Sequence, residues 1–134
     1  MLVKTGNKID AVAAANDGLA NAVVVALKAH KLKPIPLSGQ DATPQGVQNI
    51  ISGWQTMTVW KDTRTLAKAS AKAAIALSKG QKPAQTGTVK NGSKQLPAFI
   101  IAPVSITKAN YKQLFNGYLK RSKVCIGTYA KYCK

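Results

Sequence analysis

The sequence predicts an α/β fold, with helices in layers on both sides of a small, mostly parallel sheet (a three-layer αβα arrangement). Three observations carry this expectation. Short apolar runs alternate with stretches of helical periodicity. The connections between them are short, which implies parallel strands joined by right-handed crossovers. At 134 residues and 46% hydrophobic content, the chain suits one domain and can form a packed core, so wholesale disorder is not expected.

Residues 9–15 (IDAVAAA) read as a buried strand. Asn16 then stands at the strand's end, and Asp17 is expected to cap the next helix. That helix, residues 18–30, repeats apolar side chains at Leu19, Val23, Ala26 and Leu27, and stops near His30 and Lys31, where positive charge suits the C-terminal dipole. Residues 34–37 form a second, proline-edged strand, with residues 38–41 as the loop above it. Thr43 and Pro44 are the expected cap and first-turn proline of a helix over residues 43–52, closed by Gly53. Residues 55–60 alternate as a third strand. A long helix over residues 63–79 ends at Gly80. Residues 81–96 are polar and read as loop or edge structure. A fourth apolar strand, broken by prolines, is predicted over residues 96–104, then a turn to Asn110, a short helix over residues 110–119, and a tail.

Charge is lopsided: 20 Lys and Arg against 4 acids, a formal net charge of +16. The acids are Asp10, Asp17, Asp41 and Asp62, so nothing negative follows residue 62. Such a field attracts anionic surfaces. The basic residues are almost all scattered lysines, with arginine only at positions 64 and 121, whereas base readout leans on bidentate arginine. A solvated basic surface is favoured over a specific nucleic-acid face. No apolar run is long enough to span a bilayer. No apolar core of a signal peptide follows the first lysines, and a start this close to a strand suggests a piece of a longer chain.

Chemistry-bearing constellations are few. The single histidine, His30, sits at a helix end, the acids are too sparse for a carboxylate pair, and no glycine-rich phosphate loop is present, so an enzyme is not expected. Cys125 and Cys133 can close a small disulfide loop outside the cytoplasm; the alternative is two unpaired thiols on a frayed end. Two thiols leave zinc two ligands short, so neither metal nor cofactor is expected. Trp54 and Trp60 are expected in the core, not on a ligand.

What remains is one polar group at each of three successive strand ends: Asn16, Asp41 and Lys61. Asn donates and accepts, Asp accepts, Lys donates, a mixture that suits a neutral polyol. Taken singly, each is explained as a loop residue with a structural job. Their shared position at the carboxyl ends of one sheet, where open α/β folds bind ligands, supports a joint binding reading.

The segments AAANDGLANAVVVALKAH, LSGQDATPQGVQNIISGWQTMTVWKDTRTLAKASAKAAIAL and NGSKQLPAFIIAPVSITKANY resemble the C-terminal part of sugar-binding proteins of bacterial ABC importers, in the xylose-type branch of the type 1 periplasmic-binding-protein fold. The resemblance runs from Ile9 to about Gly117, which divides the chain into residues 1–117 and a basic, cysteine-containing tail over residues 118–134. It implies that Asn16, Asp41 and Lys61 hold the sugar, a pentose, and that two lobes close about a hinge of crossing strands. One crossing is expected near Lys61 and Asp62 and another within residues 96–107. It further implies an ABC permease as partner and an extracytoplasmic location. The chain is expected to lack the first lobe, leaving an apolar face on residues 63–79 and 96–104 for self-association. The alternatives are a sugar-sensing regulatory module of the same fold and a basic domain that binds polyanions.

Overall fold

The computed structural model describes residues 2–133. The chain divides into two units, Met1–Trp60 with Val104–Lys134, and Lys61–Pro103.

In the first unit, helix α1 (Asp17–Ala29) follows the first extended segment. Asn16, not Asp17, is its cap: the Asn16 side chain accepts from the Leu19 amide at 2.9 Å. This corrects the assignment of the cap to Asp17, whose carboxylate is drawn inward to other partners. His30 closes α1 as its C-cap. Helix α2 (Pro44–Ile51) starts as expected, with Thr43 accepting from the Gly46 amide at 3.0 Å and Pro44 opening the first turn.

The two apolar runs before these helices lie parallel, but they pair at single bridges and not as full strands. Val12 bridges Leu37, and Gln40 bridges Val59, both in parallel sense. The Val12 amide donates to Pro36 O at 2.9 Å, and the Ser38 amide returns a bond to Val12 O at 3.1 Å. Pro34 and Pro36 carry no amide hydrogen, which limits how far residues 34–37 can extend the ladder. Strand β1 (Thr58–Trp60) is the third element of this sheet.

The fourth strand is where the sequence expectation is corrected. Residues 96–104 are not one strand. Their first part belongs to a hairpin of β2 (Gly87–Asn91) and β3 (Lys94–Ala98), in which Val89 faces Leu96. The expected loop over residues 81–96 is therefore largely hairpin. Gly92 and Ser93 form its two-residue turn, with Gly92 at φ +60°, a conformation that favours glycine. A separate strand, β4 (Val104–Ile106), begins just after Pro103 and pairs antiparallel with β1, Trp60 opposite Val104. The two passages of the chain between units thus leave from neighbouring positions on one ladder. They fall where the resemblance implies strand crossings.

The core of the first unit joins Ala42, Val47, Ile51, Ile106, Tyr111, Leu114, Val124 and Cys133, with a second cluster at Ala20, Val24 and Leu37. Residues beyond 110 do not form the predicted helix over 110–119. They make a 3-10 turn (Tyr111–Phe115), the short helix α4 (Arg121–Val124) and a further 3-10 turn (Gly127–Tyr132). Cys125 and Cys133 are joined as a disulfide, with their Cα atoms 5.9 Å apart. The segment is packed, because Val124 and Cys133 lie within the buried cluster. Trp60 packs against this cluster and Trp54 against the second.

In the second unit, helix α3 (Thr63–Ser78) buries no residue. Leu66, Ile75 and Leu77 on the helix, and Val89, Leu96, Phe99 and Ile100 around the hairpin, are all exposed. Asp62 caps α3 through the Arg64 amide at 3.0 Å and forms a two-point ion pair with the Arg64 side chain, at 2.9 and 2.8 Å. The Arg64 side-chain hydrogen bond holds the Asp62 carboxyl below the ordinary aspartate value. A depressed folded value means that this cap supports the helix above the ordinary carboxylate range and is lost as pH falls through the folded value. Titration of Asp62 by NMR should therefore show a midpoint below that of an unfolded aspartate. It should move upward in Arg64→Ala, with fraying of the first turn of α3; an unchanged midpoint would contradict this assignment.

Candidate functional site

The site is built around Asp17, which is 1% exposed. One carboxylate oxygen accepts from the Thr43 amide at 2.8 Å and the Thr43 hydroxyl at 3.0 Å. The other accepts from Gln55 Nε2 at 2.9 Å. The Asp17 amide donates to Gln40 O, also at 2.9 Å. A single residue at the start of α1 therefore fastens the loop before α2 and the approach to β1.

The space for this carboxylate is made by two glycines. A Cβ on Gly46 would collide with the Asp17 carboxyl group, and one on Gly39 would meet both Asp17 and Gln55 Nε2. Glycine inside a helix costs about 0.5–1 kcal/mol relative to alanine, so its place in the first turn of α2 needs such a reason. Gln55 is buried, and its amide nitrogen also donates to Met57 O at 3.0 Å. Its Oε1 has no partner among the described residues.

Asn16 and Asp41 are set next to this knot. Asn16 is half-buried and its Oδ1 is used by the helix cap, while its amide nitrogen makes no hydrogen bond among the described residues. Asp41 is exposed and lies at φ +95°, followed by Ala42 at φ +48°. Two consecutive non-glycine residues at positive φ cost on the order of 1–3 kcal/mol each and persist only when their surroundings fix them. Here the Asp41 amide donates to Val59 O at 2.8 Å, and the Ala42 amide to the buried Thr58 hydroxyl at 3.2 Å. Because Asp17 binds both Gln40 and Thr43, it grips the turn on either side of Asp41. The structure thus brings Asn16 and Asp41 to the same edge, at the carboxyl ends of the parallel-bridged segments. Lys61 directly follows β1 and opens the second unit.

Sequence reasoning missed Asp17 as the organising group, together with Gln55, Gly39 and the Tyr118 hydroxyl, which donates to Asp41 O at 3.4 Å. One signal was available: Gly46, a glycine in the first turn of a capped helix, marks a close approach.

A two-helix start around a shared loop knot, at the carboxyl ends of a small parallel arrangement, agrees with the family comparison. A periplasmic binding protein domain model matches residues 1–82, and the chain belongs to that family. Among curated relatives, it is 39% identical over 126 residues to the D-xylose-binding periplasmic protein of Escherichia coli K12, covering 92% of this chain and 38% of that protein. It is 36% identical over 131 residues to the multiple sugar-binding periplasmic receptor ChvE of Rhizobium radiobacter, covering 90% of this chain and 36% of that protein. Among solved structures, it resembles a carbohydrate transporter solute binding protein from Chloroflexus aurantiacus in complex with D-glucose. There the TM-score is 0.77 and the identity 40%, over 84% of this chain and 34% of that one. The chain thus spans less than two fifths of the length of these relatives, and the fold is of the type 1 periplasmic-binding-protein class.

The positive φ of Asp41 yields a prediction that separates stability from function. Asp41→Gly should raise stability by about 1 kcal/mol by relieving the backbone, and Asp41→Val should lower it by at least as much. Urea unfolding would measure both; a Gly variant less stable than the Val variant would contradict the strained turn.

Proposed function

We propose that this chain supplies part of the carbohydrate site of an ABC-importer solute-binding protein that works outside the cytoplasm, and that its sugar is a pentose of the xylose class. Lys61 joins Asn16 and Asp41 as a ligand group in this reading. The observation that carries it is the junction of the Asn16 and Asp41 loops through Asp17, which sets a donor-acceptor amide beside an exposed carboxylate. A sugar hydroxyl both donates and accepts. Asp41 accepts a charge-assisted hydrogen bond from one hydroxyl, the Asn16 amide nitrogen donates to a hydroxyl oxygen, and the Lys61 ammonium donates to a second. No proton is transferred in any of these hydrogen bonds, so the ligand leaves unchanged. The names of the relatives support the choice of sugar: two are D-xylose-binding, and two solved structures hold glucose. Xylose and glucose present the same hydroxyl arrangement around the ring apart from one hydroxymethyl group.

Capture and release then follow from closure of a two-lobed protein about chain passages near Lys61 and Pro103, and the closed form docks on an ABC permease. The disulfide between Cys125 and Cys133 agrees with an oxidising compartment.

Affinity distinguishes the whole site from its part. Three solvated groups at about 0.5–1.5 kcal/mol each sum to the millimolar range or weaker, since 1 mM corresponds to about 4 kcal/mol. Good sugar pockets enclose most of the ligand. Calorimetry with xylose, glucose and ribose on this chain should therefore give millimolar binding or less. On a protein of the relatives' full length it should give much tighter binding, with Asp41→Ala and Asn16→Ala each weakening xylose at least tenfold. Full-length binding unaffected by both substitutions would falsify the site.

A further inference from the structure

Asp41 and Ala42 occupy a turn that the local sequence does not favour, held in part by hydrogen bonds from the first 60 residues, to Val59 O and the Thr58 hydroxyl. The C-terminal segment also meets this turn. The Ala42 methyl group is fully buried in a cluster whose members Tyr111, Leu114, Val124 and Cys133 all come from beyond residue 110. The Tyr118 hydroxyl reaches the Asp41 carbonyl at 3.4 Å, and its ring packs on Trp60 with centroids 5.3 Å apart. The segment is itself fastened. Gln48 Nε2 on α2 donates to the Lys123 and Val124 carbonyls at 3.3 and 3.1 Å. Arg121 donates to Cys133 O at 3.0 Å, and the disulfide closes the loop from Cys125 to Cys133.

We infer that the disulfide-closed segment from Tyr111 to Cys133 is a positioning element for Asp41: it holds the strained Asp41-Ala42 turn in the conformation that presents the carboxylate. Its relevance to sugar binding rests on the function proposed above, but its effect on the turn does not. The physical argument is one of over-determination. Two residues at positive φ would relax if the wall behind Ala42 moved, because burial of that methyl group and the Tyr118 contact depend on the tail staying docked. Opening the disulfide frees residues 125–133 to fray, and Val124 and Cys133 belong to the buried cluster that encloses Ala42. Tyr118 acts at the carbonyl of Asp41 and Trp60 backs its ring, so both influence the carboxylate through the backbone.

Amide hydrogen exchange by NMR on the full chain tests this, with and without reduction of the disulfide, and in Cys125→Ser/Cys133→Ser and Tyr118→Phe. Opening the disulfide should speed exchange of the Asp41 and Ala42 amides by about tenfold or more, while the Val24 and Leu27 amides of α1 change little. Tyr118→Phe should give a smaller effect confined to the turn. Faster exchange everywhere to the same degree would mean a merely global stabiliser and would overturn the inference, as would unchanged exchange at Asp41 and Ala42. A xylose titration of the same samples forms the second arm. If the oxidised chain binds xylose, the reduced one should bind it more weakly in the same proportion as the turn opens, and equal binding would overturn the positioning role. If a protein of the relatives' full length, oxidised, binds no xylose, the proposed function is at fault, and the exchange data still decide whether the tail holds the turn.

Discussion

The buried carboxylate of Asp17 is the constraint on which the rest of this unit depends. Removing an aspartate from water costs several kcal/mol unless its oxygens are fully bonded. Three hydrogen bonds offset that cost here, two from Thr43 and one from Gln55. Bonds to a charged group contribute about 1.5–3 kcal/mol each, so the sum balances the burial or modestly exceeds it. The gain is mainly in specificity. The carboxylate can be satisfied only when α1, the loop before α2 and the approach to β1 meet in one arrangement. Gly39 and Gly46 are consequences of that arrangement, since a side chain at either position would occupy the carboxylate's place.

From this knot the candidate site follows by short links. The Asp17 amide holds Gln40, its carboxylate holds Thr43, and the turn between them has little choice but to project Asp41 outward. Asn16, one residue before Asp17, caps α1 and stands beside that turn. Binding groups are thus carried on loops, while rigid elements set their positions, the usual division of labour in α/β folds. The C-terminal segment adds a second support behind the same turn. Residues 118–133, within what the sequence reads as a tail, are part of the first unit's packing through Val124 and Cys133.

Much of this was legible in the sequence, for identifiable reasons. Periodicity marked α1, although its cap is Asn16 and not Asp17, and Thr43-Pro44 placed the start of α2 to the residue. The three strand-end polar residues could be singled out as candidates because apolar runs stop visibly at Asn16, Asp41 and Lys61. The strand over residues 96–104 was misread because an apolar run records burial tendency, not pairing. Its beginning pairs with β2 across the Gly92-Ser93 turn, and β4 starts only after Pro103. The role of Asp17 was hidden for a different reason. An aspartate after an asparagine at a helix start satisfies every local rule for a cap, and only the distant partners Thr43 and Gln55, at separations of 26 and 38 residues, reveal the other use.

The account's central claim is that Asp17 couples these three segments. A double-mutant cycle between Asp17→Ala and Gln55→Ala, read by urea unfolding, tests it most directly. Two residues that share a buried hydrogen bond across elements should show a coupling energy of about 1 kcal/mol or more. The single Asp17→Ala change should cost about 3 kcal/mol or more, because it strands the Thr43 and Gln55 donors. Effects of the two substitutions that simply add, to within about 0.5 kcal/mol, would contradict the claim.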